Sequence, residues 1–165
     1  MSLQIIRMTQ KHTEEVHRVL DTVARERKFL SYLEAPPLAQ SREFVLEMIA
    51  KGNPIFVAVV DDKVVGWCDV VRVERPVHAH VGVLGMGLLP EFRGQGHGRA
   101  LIKTVLVDAH RVGISRVELT VHADNDRAIA LYERVDFVRE GVKRYAACID
   151  GCYIDCILMA KLDKV

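Results

Sequence analysis

Residues 88–98 read Leu-Leu-Pro-Glu-Phe-Arg-Gly-Gln-Gly-His-Gly and stand between an apolar, strand-like run and an amphipathic, helix-like one. No other stretch restricts the fold as much. Three glycines in five residues, Gly94, Gly96 and Gly98, let the main chain approach a bulky group with no Cβ in the way. The run at 98–111 places Leu101, Ile102, Val105, Leu106 and Ala109 on one helical face, with Gly113 just past its end. A helix starting there has unpaired N–H groups in its first turn and the positive end of its dipole, so an anion is favoured. Arg93 adds a fixed positive charge beside that turn. Strand, glycine turn and helix together predict a phosphate or pyrophosphate cradle at a strand end. The plainer reading, in which the glycines only turn strand into helix, stays open on this segment alone.

The type of cradle is narrowed by what is missing. A Walker loop needs Lys and Ser or Thr after its last glycine, where this chain has Arg99 and Ala100. A dinucleotide turn needs G-x-G-x-x-G, and the spacing of Gly94, Gly96 and Gly98 is wrong for it.

Around the turn, hydrophobic periodicity predicts a strand at 3–8 and a helix at 13–27. Pro36 and Pro37 break 29–40, and a second helix at 44–51 is expected with Ser41 as its N-cap. Strands 55–60 and 64–73 form a hairpin through Asp61, Asp62 and Lys63, and a strand at 80–89 stops at Pro90. Beyond the glycines come the helix, a strand at 116–121, a helix at 125–135, and strands at 137–149 and 152–161 joined by a two-residue turn at Asp150 and Gly151. No repeat, linker or composition shift marks a second domain. One domain over 3–162 is expected, a mixed α/β (α+β) sheet with helices on both faces.

Composition fits that expectation and excludes several alternatives. A chain of 165 residues can bury about 70% of its unfolded surface, enough for a core without staples. Half the residues are hydrophobic and 27% are charged, which excludes disorder. A net charge of +1 gives no electrostatic reason for nucleic acid as main partner, though a local basic pocket is compatible with it. The longest apolar runs, 55–60 and 81–89, are far short of the roughly 18 residues that span a bilayer. Residues 1–11 lack the pattern of a secretory signal, so a cytoplasmic protein with reduced thiols is expected.

A second constellation follows the next strand: Asn125-x-x-Ala128-x-x-Leu131-Tyr132. Asn125 is a good N-cap, and Tyr132 lies almost two turns on, projecting from the same side. Taken alone, Tyr132 reads as a core aromatic with its hydroxyl at the rim. Together the two segments resemble the GNAT superfamily of acetyl-CoA-dependent N-acetyltransferases. Arg93, Gly96 and Gly98 match the family's Arg/Gln-x-x-Gly-x-Gly/Ala; Asn125, Ala128, Leu131, Tyr132 and Phe137 match its Asn-x-x-Ala-x-x-Leu-Tyr-x-x-x-Gly-Phe. Asp136 stands where the family usually has glycine, so a differently built turn is expected there. Glu140–Gly141, Tyr145–Ala146, Gly151-x-Tyr153-x-Asp155 and Met159 more loosely resemble the phosphinothricin-type subgroup, which acts on amino acids and related amines.

The resemblance implies a mostly antiparallel sheet of six or seven strands, splayed after the fourth. It implies acetyl-CoA as cosubstrate, the main chain at Leu88 and Leu89 along the pantetheine arm, and a nearby N–H polarising the thioester carbonyl. Gly94, Gln95, Gly96, His97, Gly98 and Arg99, with Arg93, would hold the pyrophosphate. Asn125 would bond the pantetheine arm, and Tyr132 would protonate the leaving thiolate. No covalent enzyme intermediate is needed, since holding amine and thioester together supplies most of the acceleration. The strand before the glycines carries no carboxylate, leaving His80, His78, Glu118 or water as the general base. The expected acceptor is the primary amine of a small molecule. A protein N-terminus or lysine, and a non-catalytic acyl-CoA-binding module, are the alternatives; the protein acceptor predicts an open groove between 29–40 and the Gly151 hairpin. Monomer and homodimer are both compatible with the chain.

Cys148, Cys152 and Cys156 invite a metal reading. With Asp150 and Gly151 as the turn, Ile149 faces Cys152, Cys148 faces Tyr153 and Tyr145 faces Cys156, which puts Cys148 on the other side of the sheet. Buried thiols, with no disulfide and no metal, are the expectation.

Overall fold

The structure is a computed structural model describing residues 2–164. In chain order it contains β1 (Leu3–Arg7), α1 (Thr13–Arg25), α2 (Leu38–Ala50), β2 (Ile55–Val60), β3 (Lys63–Arg72), β4 (Val81–Leu88), α3 (His97–Arg111), β5 (Arg116–His122), α4 (Asp126–Glu133), β6 (Val138–Ile149) and β7 (Cys152–Leu162). The strands form one seven-stranded sheet in the order β1-β2-β3-β4-β5-β7-β6. Every neighbouring pair is antiparallel except β4 and β5. The mixed α/β sheet expected from the sequence is what forms.

Alternation along the strands builds a core on each face. Phe56, Ala58, Cys68 and Val70 join Leu101, Ile102 and Val105 of α3 in one cluster. Ile55, Val57 and Trp67 join Val19 and Val23 of α1 and Val45 and Met48 of α2 in the other. Both clusters span β2 and β3, so the central strands are covered on both sides. A register shift between Ala58 and Val59 changes the parity of β3, which is why Val65 shares a cluster with Cys68 and Val70 while Val64 joins Trp67.

Three local expectations are corrected. The second helix begins at Leu38 with Pro37 as its N-cap, so Ser41 lies inside it. The Pro37 carbonyl accepts from the Gln40 and Ser41 N–H groups; proline obstructs a helix interior but not the position before it. In the last hairpin Ile149 faces Cys152 and Cys148 faces Tyr153, but Lys143, not Tyr145, faces Cys156. A bulge intervenes, with Tyr145 at φ 51° and its N–H donating to the Asp155 carboxylate at 2.8 Å.

The third concerns Asp136, where the turn is built as a glycine would build it. Asp136 sits at φ 71°, its N–H donates to Glu133 O, and the Phe137 N–H reaches back to Tyr132 O at 3.0 Å. These are the two bonds of a Schellman cap, whose left-handed position favours glycine. Asp136→Gly is therefore expected to raise stability by about 0.5–1 kcal/mol and the melting temperature by about 2–4 °C. Calorimetric melting checks this, and an unchanged or lower Tm would contradict it.

Candidate active site

β4 and β5 pair only from Val81 opposite Arg116 to Val83 opposite Glu118. Beyond that register the strands part, and β5 stays with β7 along its whole length. A cavity of about 1360 Å³ runs through the gap from the α1–α2 face to the α3–α4 face. The main-chain parity of β4 follows from its ends. The Val73 N–H donates to Val81 O and the Leu89 N–H to Val65 O, both at 2.9 Å, so odd-numbered residues turn their polar groups toward β3. Even-numbered ones turn the other way. Met86 and Leu88, past the end of the β5 ladder, therefore present N–H groups to the gap.

Next along the chain, Gly96 is the N-cap of α3 with φ 85°, a left-handed conformation that costs an L-residue about 1–2 kcal/mol. An added Cβ at Gly94 or Gly96 would meet no protein atom within 4 Å, so open space lies over the turn. The first-turn N–H groups of α3 point into it. Such a turn can hold an anion. At Gly98 an added Cβ would lie 3.3 Å from Leu131 Cδ2, so that glycine also serves the packing of α3 on α4.

Arg93 departs from the expectation of a free phosphate-binding charge. Its Nε donates to Leu88 O at 2.9 Å, and its two terminal nitrogens grip the Glu26 carboxylate at 2.9 and 2.5 Å. Phe29 lies under the guanidinium at 5.0 Å. Arg93 pins the glycine turn to the end of α1. The cations left at the mouth are Arg99, Arg127 and Arg134, which line the cavity and form no ion pair among the described residues. The Gln95 side chain is directed to Glu91 O, and Gln95, His97 and Leu89 do not line the cavity; only their main chain could take part.

Asn125 caps α4, its Oδ1 accepting from the Ala128 N–H at 3.2 Å, which leaves its amide donors on the cavity wall. Tyr132 is 8% exposed and packs on Phe137 with ring centroids 5.8 Å apart, and it too lines the cavity. Burial pushes its phenol well above the usual range, with Cys68 adding to the effect.

None of the expected general bases stands here. His80 is exposed at the start of β4, where its carbonyl accepts from Ser115 and Arg116. Residues 80 and 88 are about 26 Å apart along an extended strand, so His80 cannot reach the Leu88 end. His78 lies in the turn before it, and Glu118 is paired with Arg116 at 3.0 Å. Neither lines the cavity.

Asp69 is the carboxylate the sequence reasoning missed. It is 7% exposed, lines the cavity and lies opposite Gly85 of β4. An added Cβ at Gly85 would stand 3.5 Å from Asp69 Oδ1, so the glycine leaves the carboxyl open. Burial raises it to about 7, against a lowering hydrogen bond from Trp67. The available signal was an ionisable residue at an inward position of an otherwise apolar strand.

Because the folded carboxyl binds its proton more tightly than the unfolded one, the stability that this group contributes is greatest below pH 4. It falls between pH 4 and 7 by about 4 kcal/mol, from 1.36 kcal/mol per pH unit. Asp69→Asn is expected to remove most of that slope. Melting temperatures at pH 5 and 8 test this; the same slope in both proteins would contradict it.

The α1–α2 connection roofs the far side of the cavity. Phe29, Leu30, Tyr32 and Pro36 line it, and two links tie its start across the gap. Buried His122 (5% exposed) donates from Nδ1 to Lys28 O at 2.7 Å, and Arg27 pairs with Asp150 at the β6–β7 turn. Of the thiols, Cys68 and Cys156 are buried, but Cys148 and Cys152 are exposed, correcting the expectation for that pair. Among the described residues no cluster of His, Cys, Asp and Glu is placed to hold a metal ion, and no helix is long and apolar enough to cross a membrane.

A splayed sheet with a glycine-rich helix N-terminus on one side of the gap defines an anion cradle at the edge of a deep cavity. The sequence profile of the Acetyltransferase (GNAT) family matches residues 18–137, and the chain belongs to that family of acetyl-CoA-dependent N-acetyltransferases. It is 31% identical over 107 residues to the L-amino acid N-acetyltransferase AaaT of Escherichia coli, covering 64% of this chain and 66% of the relative. It is 35% identical over 116 residues to the N-alpha-acetyltransferase RimI of Mycobacterium tuberculosis, covering 70% and 69%. The chain thus spans about two thirds of each. A GNAT-family acetyltransferase from Streptococcus pneumoniae superposes with a TM-score of 0.92 at 26% identity, covering 98% of this chain and 100% of that one. The yncA structure from Salmonella typhimurium, which contains acetyl-CoA, shares the fold with a TM-score of 0.93 at 14% identity, covering 100% and 96%.

Proposed function

We propose that this chain, acting in the cytoplasm as one domain over residues 3–162, transfers the acetyl group of acetyl-CoA to the primary amine of a small molecule. The observation that carries this reading is the roof. An acceptor protein needs an open groove between the α1–α2 connection and the Gly151 hairpin, and here His122–Lys28 and Arg27–Asp150 bridge that space. A small amine fits the half-open chamber beneath that roof.

Acetyl-CoA supplies the activated acyl carbon. The N–H groups of Met86 and Leu88 face the gap and are placed to bind its carbonyl as negative charge grows there. The Gly94–Gly98 main chain and Arg99 hold the pyrophosphate, and Asn125 bonds the pantetheine arm. Tyr132 gives the proton that the thiolate needs. For a free phenol near 10 and a thiol near 8.5 that transfer is uphill by about 2 kcal/mol. Burial raises this phenol further, but the same dry space also raises a thiol, so the mismatch does not widen in proportion. Holding both reactants in one chamber supplies most of the acceleration.

The test compares small primary amines with hexapeptides carrying the same N-terminal residue, following thiol release from acetyl-CoA. Small amines should turn over at least tenfold faster by kcat/KM. Peptides acetylated as well or better would overturn the small-molecule reading.

A further inference from the structure

The charges lining the cavity are divided between its two sides. Arg99, Arg127 and Arg134 belong to the α3–α4 side, where the phosphates are expected, together with Asp126 in the first turn of α4 and Asp124 just before it. The α1–α2 side is walled by apolar groups such as Val16, Phe44 and Trp67 and contains one carboxylate, Asp69. Its two basic side chains are already engaged. Arg93 is held by Glu26 and by Leu88 O, and His17 donates from Nε2 to Pro36 O at 2.8 Å. The chamber therefore offers a place for one ammonium group and no free cation for a carboxylate beside it.

We infer that Asp69 receives the ammonium group of the acceptor and takes its proton, and that the acceptor is a primary amine on an apolar body without an adjacent carboxylate. This rests on the small-molecule reading above. Asp69 lies across from Gly85, next to Met86, whose N–H faces the gap. An amine docked on Asp69 therefore stands beside the position of the acyl carbon. In the reaction R–NH3+ gives one proton to the Asp69 carboxylate, and the nitrogen lone pair forms the C–N bond to the acyl carbon. The C–S bond breaks with its electron pair on sulfur. The thiolate takes the Tyr132 proton, the second proton lost from nitrogen restores Tyr132, and Asp69 releases its own to water. One proton is liberated per turnover.

A carboxyl titrating near 7 suits a base working at neutral pH. Among the described residues no charged side chain pairs with it. β2 presents Ile55 and β4 presents Gly85. Cys68 faces the opposite side of the sheet, its thiol raised by burial. His17 and Tyr32 border the chamber from α1 and the roof, and Arg93 is neutralised by Glu26.

Two measurements on the full chain decide the matter. The first compares kcat/KM for 2-phenylethylamine with phenylalanine and for isoamylamine with leucine, pairs that differ only by the carboxylate. Each amine should be preferred at least tenfold; amino acids equal to or better than their amines would overturn the inference while leaving the small-molecule reading intact. Failure of all small amines, with peptides acetylated, would instead overturn that reading and this inference with it. The second uses Asp69→Asn with acetyl-CoA affinity measured by calorimetry. Affinity should be unchanged, kcat/KM for the amine should fall at least 100-fold at pH 7, and the acid limb of the wild-type pH profile near 7 should be lost. A full acid limb in the variant would remove Asp69 as the base.

Discussion

Tyr132→Phe is expected to lower kcat by roughly 10²–10⁴-fold with acetyl-CoA affinity little changed. The change keeps the ring, its contact with Phe137 and the α4 cap, whose hydrogen bonds use the Tyr132 carbonyl and not its side chain. It removes only the proton that the departing thiolate needs. If the phenol were merely a core residue's polar tip, the same change would leave kcat intact and alter stability by about 1 kcal/mol at most. Rates measured where chemistry limits turnover separate the outcomes, and an unaltered kcat removes Tyr132 from the mechanism. The proton donor would then be water.

Gly96→Val is expected to raise the KM for acetyl-CoA at least tenfold, with a smaller effect on kcat. Nothing in the protein lies within 4 Å of the added Cβ, so the valine side chain would occupy the space in which the pyrophosphate belongs. The left-handed φ of 85° adds a folding cost of about 1–2 kcal/mol, which melting would report separately. Gly98→Val is a poorer test. Its Cβ presses on Leu131, so lost affinity there would mix with disturbed α3–α4 packing. Normal affinity in folded Gly96→Val would mean that the glycines only form a turn.

Much of this was legible in the sequence because periodicity and turn chemistry are local. The strands, the glycine turn and every helix but α2 lie within a few residues of the expected bounds, and the family resemblance added the splay. What escaped was set by tertiary contact. Pro37 begins α2 because its carbonyl, free of any N–H requirement, accepts the first helical bonds. The bulge at Tyr145 depends on the Asp155 carboxylate across the hairpin. Arg93 finds Glu26 across most of the first half of the chain, a pairing no spacing rule reveals. Asp69 is illegible for a related reason: it lies on β3, outside the strand that leads into the glycine turn, and reaches the gap over a β4 residue without a Cβ.

Direct acetyl transfer to a small amine is tested most plainly by mixing the protein with acetyl-CoA and 2-phenylethylamine, then quantifying free CoA thiol and N-acetylated product together with the mass of the protein. Direct attack in a ternary complex predicts thiol and acetylated amine in equal amounts, little thiol release without amine, and a protein of unchanged mass. Tight acetyl-CoA binding with no product from any amine, thiol release independent of amine, or an acetylated protein that forms before the amine is added would contradict it.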